Sequence, residues 1–163
     1  RIALEIPQSD RIALHWGMCL ANFHFFSDVI LIAGRLIRLQ GEFTLPVVQQ
    51  RLAELYSNQG TIPRSVARII QSLREWNIII QIADGRYQSN SLFRMTHPGL
   101  AGFLVACALQ HKTQQAWLLT DVLRLPEFFP FDVASNGAQV IRASQLVNIH
   151  REGSNQEIIM LIH

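Results

Sequence analysis

The sequence predicts a mainly helical α+β chain, and three observations carry that expectation. Apolar residues recur at helical spacing through most of the first 76 positions. Short β-prone stretches then flank turn residues twice, as "NIIIQIA" and "RYQ" around Asp-Gly, and again around "REGSNQ" near the end. Finally, 49% of the 163 residues are hydrophobic, ample for a packed core, while only 16% are charged. So little charge implies a surface partly covered by neighbours, and a homodimer or a subunit of a larger complex is expected.

Taken in order, Asp10 stands where it can cap a helix carrying Ile12, Leu14, His15, Trp16, Met18, Cys19 and Leu20. A second helix is expected from about Phe25 or Ser27 to Leu39. It is apolar nearly all round, as a central helix is, and Gly41 stops it. Thr44 is the next N-cap candidate, with Pro46 in the first turn, where its missing N–H costs nothing. Val48, Leu52 and Leu55 follow at helical spacing, and Gly60 ends the turn region.

Thr61 caps again, Pro63 sits in the first turn, and the helix runs to Trp76. Its Ile62, Val66, Ile69, Ile70 and Leu73 make one buried stripe, while Arg64, Arg68, Gln71 and Glu75 fall on the opposite side. "NIIIQIA" is too short and too β-branched for a helix, Asp-Gly is a strong hairpin turn, and "RYQ" is the return strand. Residues 91–125 read as helix again, with "HPGLAGFLVACALQH" and "TQQAWLLTDVLRL" as an antiparallel pair joined near Lys112 and Thr113. "PEFFPF" breaks that pattern, and a last hairpin pairs strands at 145–150 and 157–162.

Helix, turn, helix, strand, turn, strand is the order of a winged helix-turn-helix. In that arrangement the second helix enters the major groove and the hairpin lies beside a phosphate backbone. The expected architecture is a winged helix-turn-helix core at 42–90. An N-terminal helical segment (1–41) precedes it, and a C-terminal helical hairpin plus small β-hairpin (91–163) follows. Charge supports the placement. Thirteen of the 14 basic residues are arginine, whose planar fork suits phosphates and guanine edges. Eight of them lie between Arg35 and Arg94 against four acids, so that segment is +4 while the remainder is −2.

The expected function is non-catalytic binding of double-stranded DNA. Arg64, Arg68 and Gln71 would face the groove, with Ser65 nearby to contact a base or phosphate. Arg51, Arg74 and Arg86 would hold phosphates. The rival expectation is a structural adaptor whose winged helix binds protein.

Residues 14–80 also resemble a family. "LHWGMCLANFHFFSDVI", then "FTLPVVQQRL", then "TIPRSVARIIQSLREWNII" are similar in layout to the BrxA proteins of BREX phage-defence systems. The resemblance stops at the hairpin. It implies a helical N-terminal bundle joined to a DNA-binding winged helix, with Arg64, Arg68 and Arg74 on the basic helix. A regulatory or phage-defence role would follow.

Other chemistry is sparse. No Walker loop, GxGxxG, GxSxG or HExxH occurs. Asp28, Asp121 and Asp132 are too scattered to argue for a nuclease, and neither catalysis nor a cofactor is expected. His15 with Cys19 and Cys107 with His111 are each four apart and would total four zinc ligands if their helices crossed at that level. The plainer reading makes both cysteines small packed hydrophobes in a reducing compartment, with no metal. Trp16, Trp76, Trp117 and the phenylalanines at 23, 25 and 26 read as core or subunit contact. Phe128, Phe129 or Phe131 would stack on bases only if exposed. No signal peptide and no 18-residue apolar run without charge is visible, so a cytoplasmic chain with no membrane partner is expected.

Overall fold

Asp10 does not cap the first helix by its side chain. In the computed structural model, which describes residues 7–57, 60–82, 85–95, 97–136, 141, 144–153 and 156–162, its carboxylate is buried. There it accepts the backbone N–H of His97 at 2.9 Å, tying the starts of two distant helices together. Helix α1 (Arg11–Asn22) follows and buries Ala13, Trp16 and Leu20. Phe23, in extended conformation, breaks it, and α2 (His24–Gln40) departs at 116°. Ser27 braces the bend by donating its hydroxyl to the Leu20 carbonyl at 3.0 Å. Val29, Ile30, Ala33 and Leu36 of α2 are buried, as its apolar pattern requires. Gly41 ends it at φ 79°, a left-handed value that glycine adopts without steric cost.

Next come strand β1 (Glu42–Thr44), α3 (Leu45–Leu55), α4 (Ile62–Glu75), β2 (Ile79–Gln81) and β3 (Arg86–Ser89). Both prolines occupy the first helical turns as expected, whereas neither Thr44 nor Thr61 makes a side-chain cap. Strand β1 is an addition: "EFT" lies antiparallel to β3 with Phe43 opposite Tyr87, their rings stacked at 5.4 Å. The sheet order is β1-β3-β2, antiparallel throughout.

The expected C-terminal helical hairpin is corrected. Its first half is helix α5 (Pro98–Leu109), apolar on every side and packed on α1. The approach is so close that a Cβ on Gly17 would stand 2.4 Å from the Phe103 ring. Its second half is a two-residue strand, β4 (Trp117–Leu118), and a single helical turn, α6 (Leu119–Val122). Cross-strand pairing outweighs local helical period here, because Trp117 and Leu118 pair with Ile159 and Ile158 of the last hairpin. That hairpin, β5 (Val147–Glu152) and β6 (Gln156–Leu161), forms as expected within two residues, and the second sheet has the order β4-β6-β5.

The molecule is therefore a mainly helical α+β chain with two small antiparallel three-stranded sheets. One cluster of buried apolar side chains draws on all three expected segments, with Trp16, Leu73, Leu104 and Ile159 among its members. Residues 126–128 lie against α2, where the Pro126 carbonyl would be 2.3 Å from a Cβ at Gly34. Trp16 Nε1 donates to the Glu127 carbonyl at 3.0 Å in the interior. Among the described residues, no single helix is long and apolar enough to cross a membrane.

Candidate nucleic-acid interface

Helix α4 is built to show one face. Ile62, Val66, Ile70 and Leu73 are buried, and its principal neighbours are α3, β2 and α2. At 100° per residue the side chains of Arg64, Arg68, Gln71 and Glu75 point the other way, and all four are exposed. Arg74, also exposed, flanks that row on one side. Ser65 is partly buried on the other flank. Arg51 is exposed on α3. Among the described residues, Arg51, Arg64, Arg68 and Arg74 make no ion pair.

Two expected contacts are already engaged within the protein. Arg86 opens β3 directly after Gly85, and its Nη1 lies 3.1 Å from Glu42 Oε1 on the neighbouring β1. Gln71 donates its amide to Glu75 Oε1 at 2.9 Å, one turn along the helix. The acid that accepts from Gln71 sits on the arginine row itself, which its helical spacing foretold.

Both ends of α4 are held in place. At its start, Gln49 Nε2 of α3 donates to the Pro63 carbonyl at 2.9 Å. At its end, the Ile78 N–H returns to Leu73 O and the Asn77 N–H to Arg74 O, both at 2.9 Å. That is a Schellman motif, with Ile78 and Leu73 both fully buried beside it. Asn77 takes the left-handed position at φ 59°, which asparagine tolerates better than most residues. Asn90, just after β3, donates its side-chain amide to the Asn77 carbonyl at 3.1 Å and its backbone N–H to Ile78 O at 3.0 Å. The roles of Gln49, Asn77 and Asn90 escaped the sequence reading. An Asn directly after a helix was the one visible signal. Between this end of α4 and β2 runs an open groove of 530 Å³, lined by Arg74, Glu75, Asn77 and Ile79 among others.

The Asp-Gly turn itself is only half within the described residues. Gly85 has φ 69°, while residues 83 and 84 lie outside them.

The remaining candidates separate. His15 meets Trp76 edge-on at 4.9 Å and lies 3.9 Å from Cys19 Sγ, whereas His111 contacts His24 and the Ala21 carbonyl. Among the described residues no three His, Cys, Asp or Glu side chains converge on a metal position. Burial pushes the Cys107 thiol up to about 11 and raises Cys19 above its ordinary value, so both are poor thiolates. Asp28 accepts the Tyr56 hydroxyl, Asp132 accepts the Ser135 N–H at 3.0 Å, and Asp121 is exposed. Phe128 and Phe131 are buried and Phe129 is half-buried, which removes them as stacking platforms. Trp16 is fully buried, while Phe23 is an exposed apolar side chain rather than core.

Comparison of the chain with protein-family models, with curated proteins and with solved structures finds no match.

Proposed function

We propose that the winged helix expected at 42–90 takes α2 as its first helix, so that residues 24–89 form the unit, and that it binds double-stranded DNA without catalysis, with α4 in the major groove. Two features of the backbone support the winged-helix reading: the element order helix, strand, helix, helix, strand, strand, and the strand order β1-β3-β2. The observation that carries the DNA reading is the row on α4. Arg64 and Arg68 are exposed one turn apart and make no ion pair among the described residues, on a helix whose opposite face is locked in the core. A guanidinium pair in that setting fits base edges or phosphates of a duplex. Arg74 and Arg51 add phosphate contacts at its edges, and Ser65 and Gln71 add polar ones. Arg86 contributes less, since Glu42 already holds it.

A second chain or a larger complex belongs to the same proposal. Phe23, Leu39 and Leu92 are 61%, 79% and 62% exposed, apolar side chains that a neighbouring subunit would cover. A role in phage defence rests on the resemblance of residues 14–80 alone.

The test is titration of fluorescein-labelled duplex with the purified chain, read by anisotropy, beside the Arg64→Ala/Arg68→Ala double variant. The proposal expects the double variant to lose binding while keeping its far-ultraviolet circular dichroism. Equal affinity of the two proteins would refute it. Absence of duplex binding in both, with a protein partner retained, would install the adaptor reading instead.

A further inference from the structure

An open apolar trough of 420 Å³ runs between α2 and the segment 123–134, and none of its lining residues lies on α4. Its floor forms where α2 meets the 126–128 turn, so closely that a Cβ on Gly34 would stand 2.3 Å from the Pro126 carbonyl oxygen. Ile37, Leu123, Leu125 and Phe129 of the lining are partly exposed, and Leu92 is 62% exposed. Two ties hold the walls. Arg38 of α2 donates Nη1 to the Arg124 carbonyl at 2.9 Å, and beside Leu92 the Phe93 N–H donates to Pro130 O at 3.0 Å. The trough is therefore formed in the free chain, with apolar side chains in reach of a guest.

Its charge is positive. Arg38 and Arg124 line the trough, are exposed, and make no ion pair among the described residues. The bond to the Arg124 carbonyl uses one N–H of Arg38 and leaves its charge unneutralised. Arg35, one turn earlier on α2, is likewise exposed and without an ion pair, and the exposed Asp121 makes none with Arg124. The one acid of the lining, Asp132, already accepts from Ser135. Two arginines against that aspartate leave the lining one net positive charge.

These features sort the occupants. A small ligand needs polar groups converging on it, whereas the buried part of this lining, Phe128, Phe131 and Val133, is apolar. A nucleic-acid backbone would meet the arginines yet leave the apolar walls in water. A lipid surface is flat and cannot follow a trough. A second copy docked trough to trough would set arginine against arginine. A peptide segment of another protein answers both features, because its apolar anchors fill the trough while its carboxylates take the guanidinium forks. We propose that this trough docks an acidic segment of a partner protein, with leucine or phenylalanine anchors between α2 and Leu125 and carboxylates on Arg38 and Arg124. The assignment rests on the reading that a neighbour covers Leu92 and names that neighbour's chemistry; it is independent of the arginine row on α4.

Random dodecapeptides displayed on phage are selected on the full chain and, in parallel, on the Leu92→Glu variant, whose exposed site should tolerate the charge. Peptides enriched only on the wild type are synthesised with fluorescein and titrated by anisotropy. They are expected to carry Leu or Phe within one helical turn of Asp or Glu. Arg38→Glu/Arg124→Glu should weaken their binding about tenfold at low salt, and the loss should shrink as salt rises. Far-ultraviolet circular dichroism checks both variants; if Leu92→Glu fails to fold, the arginine variant replaces it in the selection. Enriched peptides without acids, none that depend on the trough, or full affinity in the arginine variant would overturn the assignment. Sedimentation, and binding to vesicles of equal parts phosphatidylserine and phosphatidylcholine, cover the rival occupants. A dimer that Leu92→Glu dissolves would overturn this assignment while keeping the neighbour reading; vesicle binding lost in Leu92→Glu would overturn both.

Discussion

Salt dependence gives the sharpest reading of α4, because the structure says how many guanidinium groups are available. Arg51, Arg64, Arg68 and Arg74 are exposed and make no ion pair among the described residues, whereas Arg86 is held by Glu42 at 3.1 Å. Each phosphate neutralised on duplex DNA contributes about 0.9 to the slope of log affinity against log salt, so four contacts predict a slope of about −3.6. Between 50 and 200 mM salt the affinity should then fall by about 150-fold. The Arg64→Ala/Arg68→Ala variant keeps two contacts and should show a slope of about −1.8, which is a loss of only about 12-fold over the same range. Anisotropy titrations at five salt concentrations resolve that difference easily. If Arg64 and Arg68 read bases rather than phosphates, their removal instead lowers affinity strongly while the slope changes little. A slope near zero in the wild type, or equal slopes and equal affinities in both proteins, refutes the reasoning from exposed charge to nucleic acid.

Four further outcomes follow from particular contacts. Glu75→Gln removes the one acid on the arginine row, so duplex affinity should rise a few-fold at low salt and the gain should vanish at high salt; an unchanged affinity would mean that the C-terminal end of α4 lies away from DNA. Arg86→Ala removes a guanidinium that Glu42 holds at 3.1 Å, so the salt slope in the same assay should change by much less than about 0.9; a change of the full 0.9 or so would mean that Arg86 reaches a phosphate. Asn77→Ala places a Cβ without a compensating amide at φ 59° and should cost about 1 kcal/mol, whereas Asn77→Gly should be tolerated; urea midpoints rank the two. The Tyr56 hydroxyl is pushed up to about 12, first by burial, then by its hydrogen bond to Asp28 and that carboxylate's charge. Its contribution to stability is therefore complete below the ordinary tyrosine value of 10 and lost as pH rises through about 12; Tyr56→Phe should flatten the fall in Tm across that window.

The parts legible in the sequence were those where local chemistry and tertiary demand agree. Helix α4 was readable because Pro63 marks its first turn and its buried stripe keeps strict spacing. The last hairpin was readable because β-branched strands enclose a polar turn. Reading failed where a distant strand competes with local period: "AWLL" has helical spacing, yet β6 offers Trp117 and Leu118 a pairing edge that no short-range pattern reveals. Caps failed for a related reason. Asp10 is a good N-cap in isolation, but the His97 N–H, 87 residues away, takes its carboxylate. Of the candidate site, residue identities and exposure on α4 were legible. The loss of Arg86 to Glu42 was not, since the strand that carries Glu42 was itself unforeseen.

What makes α4 more than an exposed basic helix is the way its position is fixed. A helix held only by its apolar stripe can slide or roll by a fraction of a turn at modest cost, and a shift of that size would move a guanidinium off a base edge. Here the start of α4 is pinned to α3 through Gln49 and Pro63, and its end is pinned to the segment after β3 through Asn90 and the Asn77 carbonyl. The two ties act at opposite ends, so Arg64 and Arg68 are carried on a rod whose register against the hairpin is set in the free chain; under the proposed function, little ordering cost would fall on binding. Asn90→Ala discriminates this account from one in which burial alone suffices. It removes the tie at 3.1 Å without touching an arginine or the apolar stripe. Duplex affinity should drop several-fold while the salt slope stays at the wild-type value, because the number of phosphate contacts is unchanged. Wild-type affinity in Asn90→Ala would mean that the buried face of α4 positions the arginines unaided.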